Sequence, residues 1–171
     1  MLAVANDAAL TFCCTRVAHL VGIDVIDDVL RNNELHEARV FDGVTFPFPD
    51  ASFDLIVSTW VLEHLTDPLA HFREVSRCLK PTGSYCFRTP GAWHYVTLGS
   101  KIIPHSLRNG LVRWLKKIPQ KIHDPFPAYY LANSASSIRK LAASSGLEVG
   151  ALQQREYSPG YFGESARCSR P

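Results

Sequence analysis

Short, nearly continuous apolar runs punctuate the first ninety residues, and polar, turn-forming stretches separate them. HLVGIDV (residues 19–25), ARVFDG (38–43) and FDLIVSTW (53–60) lack the apolar–polar alternation of a half-solvated strand. Such runs suit strands buried on both faces, as in a parallel sheet. A fourth, GSYCFRT (83–89), alternates more and follows a turn predicted at Pro81–Gly83. Helical spacing fills the gaps. Asp27 or Asp28 is placed to cap a short helix carrying Val29 and Leu30. Asp67-Pro68 supplies an N-cap and a proline at the first helical position, Leu69, Phe72, Val75 or Ser76, and Leu79 recur at helical spacing, and Lys80-Pro81 closes the helix. Strand–helix–strand alternation implies an open, mostly parallel α/β sheet with right-handed crossovers and helices on both faces.

The pattern then changes. Between residues 96 and 123, Leu107, Leu111, Trp114, Leu115 and Ile118 share a helical face that Arg108, Lys116 and Lys117 avoid, an amphipathic basic helix or helix pair. Pro119, Pro125 and Pro127 enforce an extended approach to Tyr129 and Tyr130. A helix starting near Asn133 or Ser134 carries Ile138, Leu141 and Ala142 and stops at Gly146. LEVGALQQ (147–154) reads as the last strand, and the tail ESARCSRP looks unlike a strand ending.

Composition narrows the picture. The 171 residues, 46% hydrophobic and 20% charged, suit one domain with a real core. No apolar run is long enough to span a membrane, and the start lacks the basic opening of a secretory signal. Five cysteines without CxxC spacing argue against a zinc site or a disulfide framework and for the cytoplasm. The net charge of +2 hides a split, since no Asp or Glu lies between Val75 and His123. A solvated basic face is the first reading of that split. Peripheral contact with a membrane is the alternative, and nothing favours nucleic acid.

In open α/β sheets, ligands sit beyond the carboxyl ends of the strands. Here those ends present Asp24, Asp42 and the set Ser58, Thr59 and Trp60, with Glu63 and His64 just beyond. Two acids leaving successive strands suit a nucleoside, one carboxylate accepting both ribose hydroxyls and the other meeting the adenine amino group. Each residue also has a plainer role: Asp24 as a helix cap, Asp42 as a turn residue before Gly43, Trp60 as core, His64 as a surface histidine.

The succession VGIDV, FDG, FPFPDASFDLIVSTWVLEHLTDP and FREVSRCLKPTGSYCFRTP resembles a class I S-adenosylmethionine-dependent methyltransferase of the small-molecule, ubiquinone/menaquinone-methyltransferase-like type. The likeness is close over residues 21–90 and looser through YYLANSASSIRKLAASSGLEV. It implies a Rossmann-like fold with S-adenosyl-L-methionine as cofactor and a small-molecule methyl acceptor. Carried over by position, Asp24, with Val25 beside it, would hold the ribose. Asp42 and Gly43 would face the adenine, and Thr59 and Trp60 would line the methionine side. His64 would stand at the mouth of the acceptor pocket as a proton acceptor. The implied layout is a single domain over 1–171, with a core at 19–95 and 133–157 and a helical lid at 96–132.

The start departs from that pattern. The family opens with a strand running into a glycine-rich loop whose backbone amides approach the cofactor carboxylate. Here NDAALTFCCTRVAHL contains no glycine, and the first of the chain is Gly22. A truncated chain and a diverged one both account for this. Either predicts an N-terminally incomplete sheet whose central strand is lost or filled by something like AALTFCC, with weakened cofactor binding. The competing function is a catalytically inactive, methyltransferase-like binding or regulatory module. A nicotinamide-dependent oxidoreductase is disfavoured by the absent GxGxxG.

Overall fold

The computed structural model describes residues 2–4, 17–91, 127–155 and 163–169. Seven strands form one sheet: β1 (Leu2–Val4), β2 (Val21–Asp24), β3 (Glu37–Val40), β4 (Phe53–Thr59), β5 (Leu79–Thr89), β6 (Glu148–Arg155) and β7 (Gly163–Ser169). Their spatial order is β3-β2-β1-β4-β5-β7-β6. The first five pair in parallel, whereas β7 runs antiparallel to both β5 and β6.

Four expectations need correction here. The central strand is present, and it is Leu2–Val4 rather than AALTFCC; Leu2 stands opposite Val21 on one side and Ile56 on the other. Three residues suffice because both neighbours supply ladder partners. The tail forms a strand after all, since Gly163–Ser169 pairs along β5 from Ser84 to Thr89. LEVGALQQ is therefore the edge strand β6 and not the last one. No turn separates α-helix and strand at Pro81–Gly83: β5 starts at Leu79, and its register on β4 jumps from Phe53↔Leu79 to Leu55↔Ser84. The irregularity takes up Pro81 and Gly83, which a regular central ladder would reject. The basic helix and most of the expected lid lie outside the described residues.

Helix α1 (Pro68–Cys78) begins as its sequence says, with Asp67 Oδ1 accepting the Ala70 amide at 3.0 Å. Helix α2 (Ala135–Ser144) is started by Ser134 and Ser137 in a reciprocal capping box. It ends before Gly146, whose φ of +70° is left-handed. The turn after β2 differs from expectation. It is a 3-10 helix (Asp27–Arg31) whose N-cap residue Ile26 gives no side-chain bond. Asp27 and Asp28 lie inside its first turn rather than capping it, and Asp24 accepts the amides of Val25 and Ile26 just ahead of it.

The core lies between sheet and helices. Phe72 and Val75 of α1 are fully buried, and Phe72 meets Tyr85 and Phe87 edge-on at 5.7 and 6.0 Å. Each such ring stabilises the fold by about 2–3 kcal/mol through the water it sheds. A polar chain runs through this layer: His71 Nε2 bonds the Tyr85 hydroxyl at 3.0 Å, which bonds Ser58 Oγ at 2.7 Å. Burial lowers the His71 pKa from 6.5 to about 4, so the ring is neutral. Burial also pushes the Cys78 thiol up to about 11.

The Pro-rich loop before β4 is buckled to α1. Arg77 donates to the Phe46 and Phe48 carbonyls at 3.0 and 2.8 Å, to Asp50 at 2.8 Å and twice to Glu74 at 2.9 and 2.7 Å. Glu74 in turn accepts the Phe46 amide at 2.8 Å. These bonds hold the Glu74 carboxyl below its usual range and raise the Arg77 guanidinium. The loop thus enters β4 at a set angle, which places the far end of that strand.

Candidate functional site

Strands β2 and β3 lie on one side of β1, and β4 and β5 on the other, so the sheet changes direction of winding at β1. The carboxyl ends of these strands form the crevice where such sheets take ligands. Register puts the candidates there together. Val4 is level with Ser58, and one residue farther β4 ends in Thr59; Asp24, the last residue of β2, is level with Val40 of β3.

Asp24 and Asp42 close the two adjoining loops. Asp24 Oδ1 accepts the Val25 and Ile26 amides at 2.6 and 3.4 Å. Its other carboxylate oxygen makes no bond within the described residues. Asp42 Oδ1 accepts Val44 and Thr45 amides, both at 2.8 Å, an Asx turn. Those amides, Thr45 ahead of Val44, hold the Asp42 carboxyl below its ordinary range. Asp42 thus fills its plainer role as a turn residue with one oxygen, whereas Asp24 accepts amides ahead of the 3-10 helix and caps none of its turns. The loops touch: the Phe41 amide bonds the Asp24 carbonyl at 3.0 Å, and a Cβ on Gly43 would stand 3.1 Å from Val25 Cγ1. Gly43 has φ +81°, a backbone only glycine takes without strain. Beside the acids, Val25 and Val44 stay 40% and 61% exposed, an apolar wall left open to solvent.

Across β1, Thr59 is buried and Trp60 half-buried. Trp60 is not simple core. Its φ is +59°, a conformation costing about 1–2 kcal/mol for a residue with a Cβ. Its amide bonds the Arg88 carbonyl at 2.9 Å, and the Arg88 guanidinium lies 5.2 Å from the ring centre. Strain of this kind persists where surrounding structure enforces it, and it gathers at functional sites.

His64 ends a 3-10 turn (Leu62–His64) beyond β4 and is half-buried. Its Nδ1 lies 3.2 Å from the Pro127 carbonyl, which can only accept, so Nδ1 carries the hydrogen and the neutral ring has its lone pair on Nε2.

Sequence reasoning placed Glu63 beyond β4 without assigning it a partner, and it missed the link that Thr89 and Asn133 make to it. Glu63, 5% exposed, accepts the Thr89 hydroxyl at 3.1 Å. Thr89 accepts Asn133 Nδ2 at 2.7 Å, and the same nitrogen donates to the Pro90 carbonyl at 2.6 Å. Asn133 Oδ1 is buried without a partner among the described residues, a loss of about 1–3 kcal/mol. Asn133 was legible only as a helix-start residue, because its partners come from strands 44 positions away. Among the described residues, no group of His, Cys, Asp and Glu could hold a metal ion. None of their helices is long and apolar enough to cross a membrane.

Comparison with known proteins agrees with this geometry. A family profile described as a methyltransferase domain matches residues 3–87, about half of the chain. A ubiquinone biosynthesis O-methyltransferase of Ralstonia nicotianae is 26% identical over 157 residues, covering 83% of this chain and 59% of the relative. A demethylmenaquinone methyltransferase of Corynebacterium efficiens is 34% identical over 99 residues, 56% of this chain and 40% of its own length. The chain therefore spans under two thirds of each relative. Among solved structures, a SAM-dependent methyltransferase of Methanosarcina mazei superposes with TM-score 0.70 at 18% identity, covering 99% of this chain and 91% of that one. A methyltransferase of Aquifex aeolicus gives 0.61 at 16% identity, covering 98% and 79%.

Proposed function

We propose that this chain, which belongs to the class I S-adenosyl-L-methionine-dependent methyltransferases and has S-adenosyl-L-methionine as its cofactor, moves a methyl group onto a small-molecule acceptor. The observation that carries the reading is the meeting of the Asp24 and Asp42 loops beside β1, where the winding of the sheet reverses.

The residues present fit the adenosine half of that cofactor. Asp24 keeps one carboxylate oxygen clear of local bonds, which suits a pair of ribose hydroxyls. Val25 and Val44, both exposed, would offer an apolar flank to the base, and Asp42 and Gly43 would meet its edge. Thr59 and Trp60, on the β4 side of the crevice, would line the methionine end. When bound, the cofactor supplies an electrophilic methyl group on a positive sulfur with its leaving group already good. The work left to the chain is alignment and the exclusion of water.

For a hydroxyl acceptor a base is required, and His64 would take the proton at Nε2 while Pro127 holds the other nitrogen. Residues 96–132 would cover the acceptor as a lid of this single domain, which we place in the cytoplasm. The two curated relatives are named for ubiquinone and demethylmenaquinone chemistry, which supports an aromatic, quinone-type acceptor.

Titration calorimetry with S-adenosylhomocysteine tests the reading, and saturable binding at micromolar concentration is expected. Absence of heat at millimolar ligand overturns it. That blank would favour the second reading, a module that keeps the fold without the cofactor, whose one support is the glycine-free stretch ahead of β2.

A further inference from the structure

We infer that Asn133 is a positioning residue that latches the segment 127–133 onto the turn bearing His64 and so decides which ring nitrogen of His64 carries the proton.

Three observations meet at that turn. The amides of Tyr129 and Tyr130 both donate to one backbone carbonyl, that of Glu63, at 2.7 and 3.1 Å. Two successive N–H groups reach a single oxygen because Tyr130 takes φ +55°, a left-handed backbone that a bulky residue does not adopt unaided. Something must hold it there.

The second observation supplies the hold. Asn133 spends both N–H bonds on the end of β5, at Thr89 Oγ1 and the Pro90 carbonyl, and the Thr89 hydroxyl in turn donates a hydrogen bond to the Glu63 carboxylate. Glu63, Thr89 and Asn133 are all more than nine-tenths buried, so water cannot replace a lost partner. The carboxylate side of Glu63 is thereby tied to Asn133, and its carbonyl side to the two tyrosine amides. The segment is clamped from both ends.

The third is His64. Pro127 opens the clamped segment, and its carbonyl reaches His64 Nδ1 only while the segment is seated. A neutral histidine in water favours the proton on Nε2, whereas this contact selects Nδ1–H. The latch thus turns a packing arrangement into a choice of basic nitrogen. The consequence for catalysis rests on the reading of His64 given above; the tautomer itself does not.

Nitrogen-15 spectra of histidine-labelled protein at pH about 8, above the ordinary histidine range, test this, with His64 assigned by its loss in His64→Gln. The wild type is expected to show the Nδ1-protonated form. Thr89→Val and Asn133→Ala should move the larger share of His64 to the Nε2-protonated form, and Thr89→Ser should restore the wild-type signature. A wild-type His64 already protonated on Nε2 overturns the proposal, a result that needs no variant to fold. So does an unchanged tautomer in both disruptive variants when melting shows them folded. If the methyltransferase reading alone fails, S-adenosylhomocysteine gives no heat while the tautomer pattern stands; if the latch alone fails, the reverse holds.

Discussion

The loop between β3 and β4 is secured in two unlike ways. Its first half, at Asp42–Thr45, is held by one carboxylate oxygen on two amides two and three residues ahead. Its second half, Phe46–Asp50, is fastened to α1 through Arg77 and Glu74, some 30 positions down the chain. The local turn leaves Val44 exposed and carries the candidate ligand contacts. The long-range buckle carries no candidate chemistry. Binding loops are drawn from the less stable parts of a fold, and the stable parts decide where they are carried. Substitutions in the buckle should therefore unfold the protein, and substitutions in the turn should disarm it.

The sharpest break comes from Arg77→Met. It deletes five hydrogen bonds and strands a largely buried Glu74 carboxylate. The loss should be about 3–4 kcal/mol in urea unfolding. A shift below 1 kcal/mol would mean that the buckle is ornamental.

Next in size is the neutral His71 beneath β4. The unfolded chain takes up a proton near pH 6.5 and the folded one only near pH 4, so this part of the stability is whole above pH 6.5. It drains away as the pH falls to about 4, by about 3 kcal/mol. His71→Gln, which still offers Tyr85 a partner, should flatten that fall in a pH series of melts.

Gly43→Ala stands between the two regions. The Cβ would press on Val25 and the backbone would stay left-handed, for a loss of about 1–2 kcal/mol together with weaker binding of S-adenosylhomocysteine. Smallest in stability is Asp24→Ala, expected to change the unfolding free energy by less than about 0.5 kcal/mol. It should nonetheless weaken S-adenosylhomocysteine by roughly 30-fold or more, the worth of a charge-assisted pair of hydrogen bonds. Equal losses of stability at Asp24 and Arg77 would erase the contrast.

Much of this was readable before any coordinates. Phe53 opens β4 as its apolar run suggests, and Asp67-Pro68 opens α1, because both signals are local: a run buried on two faces, and a cap with its proline. The end of β2 was readable too, since Asp24 marks it, whereas β3 stops at Val40, short of the Asp42-Gly43 that the sequence put at its end. The central strand escaped because three residues carry no period, and their place depends on β2 and β4 from elsewhere in the chain. β7 escaped because GESARCS has too little β-branched or aromatic character to outweigh its charges, and its ladder with two neighbours decides the matter. Of the site, the resemblance named His64 but not the partner of its Nδ1. A contact between residues 64 and 127 has no trace in spacing.

The strand order has a bearing on how the chain is made. The two strands that join the sheet into one piece, β1 and β7, come from residues 2–4 and 163–169, the first and last described stretches to leave the ribosome. Among the described strands, β6 has no ladder partner but β7, and without β7 the strand β5 shows a bare edge. Until that closing strand slides between its neighbours, the β6 side of the sheet should stay soft, and its arrival should stiffen it abruptly.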